Sequence, residues 1–161
     1  MTDLERRIVA AQGYVELGLY AEAREELSHL PETALDRVDV IELRLLCLMG
    51  NHHWEEALAL TYRLCAAEPN EPGGFIHAAY CLHELGRTTE ALDMLAKGPA
   101  ALRTKPVYYY NLGCYLAKLG QDEKALQLLS QAFEMDGSLR SHARKDPDLD
   151  CLREKLPQVR P

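Results

Sequence analysis

Two side chains in the middle of the chain have the spacing of metal ligands. His77 and Cys81 stand four residues apart in a stretch of helical periodicity, so one helix face would present both to a cation, with His83 and Cys47 as further donors. The same residues have a plainer use. Cys47 and Cys81 occupy equivalent places in a repeated pattern, where a small apolar side chain between helices is required, and free cysteine commonly fills such a place. The five cysteines include no Cys-x-x-Cys pair and fit reduced, mostly buried thiols. His52 and His53 precede Trp54 in a turn and read as an exposed loop beside an aromatic that fills space between helices. The carboxylates lie on polar helix faces, where solvation and pairing at i,i+4 account for them. The chain contains no Gly-x-Gly-x-x-Gly, no phosphate-binding Gly-Lys-Ser/Thr loop, no His-Glu-x-x-His and no Gly-x-Ser-x-Gly. The expectation is a protein that is not an enzyme and carries no metal and no cofactor.

Composition narrows the class further. Hydrophobic residues make up 47% of the 161 and charged residues 27%, as in a folded domain with a core. The net charge is −7 and falls wholly on residues 1–70, which hold 6 Lys/Arg and 13 Asp/Glu. An acidic chain without clustered Lys and Arg is a poor partner for nucleic acid. No apolar run is long enough to span a membrane. The opening "MTDLERRIVAAQGYVEL" scatters charge and has no hydrophobic signal core, so the expected compartment is the cytoplasm.

The elements that position these residues repeat. Ala23, Ala57, Ala91 and Ala125 recur every 34 residues, each opening an amphipathic run: "AEAREEL", "WEEALAL", "TTEALDML", "DEKALQLL". Gly18, Gly86 and Gly120 stand five residues before three of them. A strict period of this kind signals a repeat architecture. Tyr109, Leu112, Gly113 and Leu116 make one face of a helix that Gly120 ends, and Ala125, Leu128, Leu129 and Ala132 make the face of a second. Gly113 and Ala125 are small because two antiparallel helices must cross there. No run combines strand alternation with hairpin turns, so no sheet is expected.

This pattern resembles the tetratricopeptide repeat, with its Trp-x-x-Leu-Gly-x-x-Tyr…Ala-x-x-x-Phe…Pro signature. The last copy matches as Tyr109-x-x-Leu112-Gly113-x-x-Leu116…Ala125-x-x-x-Leu129, with Gly137 where proline is usual. The resemblance implies an all-α protein, a right-handed superhelix of four helix-turn-helix units at 4–37, 38–71, 72–105 and 106–139, forming a single domain. Two features depart from the family. The second copy reads "MGNHHWEEA" without the turn glycine, which predicts a re-shaped turn. Pro31 and Pro99 should end the second helices of copies one and three early, leaving two pairs of repeats. Beyond the repeats, Asp146-Pro147 suits an N-cap and first helical residue, and Leu149, Leu152 and Leu156 follow at i, i+3 and i+7. A capping helix over 146–156 is expected to cover the last unit.

By the same resemblance, the first helices line a concave groove. Its ligand-facing residues would be Val15, Leu46, Met49, Ile76, Tyr80, His83, Tyr110 and Cys114. Apolar side chains on an exposed face mark a binding surface, and Tyr and Met suit one. The expected role is capture of an apolar or amphipathic segment of a protein partner. The alternatives are a self-associating scaffold that forms a homodimer or larger assembly, or a chaperone for hydrophobic client segments. "FIHAAYCLHELGRTTEAL" is similar to the middle repeat of type III secretion chaperones. A competing reading of the groove is that the C-terminal segment itself lies in it.

Overall fold

The repeated alanines mark helix crossings. In the computed structural model, which describes residues 1–156, Ala23, Ala57, Ala91 and Ala125 are fully buried near the start of the second helix of each of four hairpins. The hairpins are α1 (Asp3–Glu16) with α2 (Tyr20–Ser28), α3 (Val38–Gly50) with α4 (Trp54–Ala67), α5 (Pro72–Glu84) with α6 (Thr88–Lys97), and α7 (Pro106–Lys118) with α8 (Asp122–Met135). Among the described residues there is no strand. Gly113 shows why a small residue is needed: a Cβ there would lie 2.6 Å from Leu129 Cγ and 3.2 Å from the Ala125 carbonyl oxygen. Gly50 makes the same allowance for the ring of Tyr20.

The four turns are built alike. Gly18, Gly86 and Gly120 take left-handed conformations with φ of +71°, +77° and +75°. In the second hairpin His52 occupies the equivalent place with φ of +60°. The closing bonds match as well. The N–H of the following residue, Leu19, His53, Arg87 or Gln121, donates to the carbonyl of Tyr14, Leu48, Leu82 or Leu116 at 2.8–2.9 Å. This six-to-one bond satisfies a helix-end carbonyl that would otherwise be orphaned. The turn without glycine is therefore not re-shaped: the hairpin geometry holds, and histidine is forced into a conformation L-residues disfavour.

The prolines act as expected. α2 and α6 run 9 and 10 residues, whereas α4 and α8 run 14 each. Pro31 and Pro99 lead into short 3-10 turns at Glu32–Ala34 and Ala100–Thr104. The chain divides into two compact units, Met1–Pro69 and the part from Asn70 onward, each holding one pair of hairpins. In the first unit α1, α2 and α3 enclose Ile8, Ala11, Leu27, Leu30, Val40 and Leu43. Arg7 reaches from α1 to Glu26 of α2 at 3.0 Å. Arg37 ties Glu5 at 2.9 Å to Asp39 at 2.7 Å.

In the second unit α9 (Leu139–Ala143) packs on α8, and a 3-10 segment, Pro147–Lys155, lies against α7. The cap thus differs from the expected α-helix over 146–156. Side chains three apart share a face in a 3-10 helix, so Leu149 and Leu152 are both fully buried, while Leu156 is half-buried beyond the segment's end. Asp146 caps the segment as expected, its carboxylate accepting from the Asp148 N–H at 3.0 Å.

Candidate functional site

The face of α5 and α7 in the second unit is polar at its centre, and a segment of the chain sits on it. His83 ends α5 under the 3-10 segment. Its Nε2–H donates to Asp148 Oδ2 at 2.7 Å, and Nδ1 pairs with the Thr88 hydroxyl at 3.0 Å. The ring lies 4.7 Å from that of Tyr115. Lys118 Nζ approaches the other Asp148 oxygen at 3.7 Å. The His83 hydrogen bond, aided by the charges of His83 and Lys118, holds the Asp148 carboxyl below the ordinary carboxylate value, although burial opposes it.

One turn away, the Tyr110 hydroxyl donates to Asp146 Oδ2 at 2.7 Å, and the Cys114 thiol meets the same oxygen at 3.7 Å. The Tyr110 ring also meets that of His142 of α9, tilted by 59° with centroids 5.5 Å apart. Burial first, then the Asp146 carboxylate, pushes the Cys114 thiol well above its usual range. The reason α7 can present these groups together is its period: residues 110, 114 and 118 are spaced by four and share a face. Beneath them the Tyr115 hydroxyl is buried without a hydrogen-bond partner among the described residues.

The residues chosen from sequence fall into two sets. In the first unit Val15, Leu46 and Met49 are half-buried, with Val15 packed against the α1–α3 core. In the second unit Ile76 is half-buried and Tyr80 is 38% exposed, whereas His83, Tyr110 and Cys114 are buried at 8%, 4% and 3%. The last three, which sequence reading placed on an open apolar surface, instead hold carboxylates of Asp146 and Asp148. Asp148, Thr88 and Tyr115 were missed altogether. A usable signal existed: two aspartates flanking Pro147, followed by Leu149 and Leu152, form an acidic and apolar segment with its own recognisable pattern. His77 is half-buried, and burial lowers its pKa; Cys81 is buried, and desolvation pushes its thiol up to about 11. No group of three or more His, Cys, Asp or Glu that could hold a metal occurs among the described residues. No helix among them is long and apolar enough to cross a membrane.

Comparison with known proteins bears on the repeat and the fold. Residues 106–138 match the tetratricopeptide repeat family. Among curated proteins none matches the chain. Among solved structures, the one titled "MamA MSR-1 C2" superposes with a TM-score of 0.66 at 21% identity, over 85% of this chain and 76% of that one.

Proposed function

We propose, from the tetratricopeptide repeat matched at residues 106–138 and the likeness in fold, a non-catalytic role: the chain holds a segment of a partner protein on its first helices. In this reading the units at 4–37, 38–71, 72–105 and 106–139 serve one interaction domain, and the binding residues in the second unit are Ile76, Tyr80, His83, Tyr110 and Cys114. One observation carries the proposal. The face of α5 and α7 already holds a stretch of polypeptide by both polar and apolar contacts, through Asp146, Asp148, Leu149 and Leu152. A face built to hold one segment has the chemistry to hold another. Tyr80 adds an exposed anchor of the kind that dominates binding energy, because a rigid aromatic buries much area at little entropic cost.

The test is a peptide-library selection on the full-length protein. Peptides so selected should bind the Tyr80→Ser variant at least tenfold more weakly and the Gln127→Ser variant, altered on the exposed side of α8, unchanged. Selected peptides that ignore Tyr80 and respond to Gln127 would move the binding surface to the second helices and refute the proposal.

A further inference from the structure

The Asp146–Leu152 stretch is seated on the second unit as a ligand would be. Every side chain from α5 and α7 that meets its carboxylates donates: the Tyr110 hydroxyl, the Cys114 thiol, the His83 Nε2–H and the Lys118 ammonium. The donors are arranged for two carboxylates two residues apart. Just beyond, Leu149 and Leu152 enter fully buried places, one and four residues after the second carboxylate. A cap whose only duty was to cover apolar surface would need none of these polar contacts. A buried ion pair is often no more stabilising than apolar packing, and its better-attested use is to specify which segment lies where.

The fit is also incomplete. The hydroxyl of Tyr115, whose ring lies against that of His83, is buried and unpartnered among the described residues. A cleft of about 480 Å³, lined by Lys118, Asp122, Pro147, Asp148 and Cys151 among others, stays open at the margin of the segment. An incoming chain can gain a foothold there before the resident stretch leaves.

We propose that residues 146–152 are a resident stand-in for the partner, and that the partner segment carries the same pattern: Asp-x-Asp followed directly by leucine and again by leucine three residues later. This rests on the interaction role proposed above and names the ligand class of that site. The tether gives the resident stretch a high effective concentration, so the intact protein binds its partner weakly until the stretch is released.

The experiment uses the full chain and a labelled peptide of residues 144–156 carrying Cys151→Ser. The opened chain carries Asp148→Asn and Leu149→Ser. Hydrogen exchange should rise across residues 139–155 while α1–α4 keep their protection. Fluorescence anisotropy should then show the peptide binding the opened chain at least tenfold tighter than wild type. Adding Tyr110→Phe to the opened chain should weaken it about tenfold, as should replacing Asp146 and Asp148 of the peptide by asparagine. If exchange does not rise, Leu149→Asp with Leu152→Asp provides the opened chain instead. An opened chain that binds a scrambled peptide equally well, or that ignores Tyr110→Phe, overturns the inference. So does a wild-type dimer that the peptide dissociates, which would assign the face to a second copy of this chain. Library peptides that bind at Tyr80 without the acidic pattern, and without raising exchange in 139–155, overturn it too while leaving the interaction role standing.

Discussion

His52 should be a strained residue whose replacement by glycine stabilises the protein. Its φ of +60° matches the glycines at the three equivalent turns. For an L-residue the left-handed conformation costs roughly 1–2 kcal/mol. Glycine removes that cost but loses more backbone entropy on folding, about 0.4–1 kcal/mol. The edge contact between His52 and Trp54, with ring centroids 5.3 Å apart, is also lost and offsets part of the gain. The net expectation for His52→Gly is a stabilisation of about 0.5 kcal/mol. Gly86→Ala is the reciprocal change. Its φ is +77° and a Cβ there meets nothing within 4 Å, so its effect is conformational alone. It should destabilise by about 1 kcal/mol. Urea unfolding followed by circular dichroism reads both, as midpoint shifts of opposite sign at unchanged slope. If His52→Gly lowers the midpoint as much as Gly86→Ala does, the turn is not strained, and the shared geometry of the four turns is not what selects glycine.

Three further outcomes follow from packing and charge. Gly113→Ala should cost about 1–3 kcal/mol, because its methyl meets Leu129 and the Ala125 carbonyl; an unchanged urea midpoint would show that α7 and α8 do not cross as closely as described. Tyr115→Phe removes a buried, unpartnered hydroxyl and should be neutral or stabilise by up to about 1 kcal/mol, whereas a loss of that size in thermal unfolding would reveal a partner for it. The folded Asp148 carboxyl has its pKa depressed below the ordinary 3.8, so its contribution is present above that value and is lost as pH falls through the folded pKa. Limited proteolysis within residues 139–155 should therefore accelerate below about pH 4, and Asp148→Asn should remove much of that dependence.

The period was legible in the sequence because it follows from local physics. A crossing of two helices needs a small residue wherever it occurs, so four alanines at one interval disclose four hairpins. Proline cannot continue a helix, so Pro31 and Pro99 announced the shortened α2 and α6. The turn at His52 was misjudged because its conformation is imposed by the closing bond from His53 N–H to the Leu48 carbonyl and the packing of the hairpin, not by the preference of histidine. Helical spacing also identified the side chains of α5 and α7 that project together, since that depends only on residues of one helix.

What covers those side chains depends on residues far along the chain. His83 meets Asp148 65 positions later, and Tyr110 meets Asp146 36 positions later. Neither aspartate differs in sequence from any exposed N-cap carboxylate. Only the return of the chain after α9, with Leu149 and Leu152 seeking burial, brings the two carboxylates over the donors of α5 and α7. Local spacing determined which groups face outward together; chain closure in three dimensions decided that three of them would meet carboxylates instead of water.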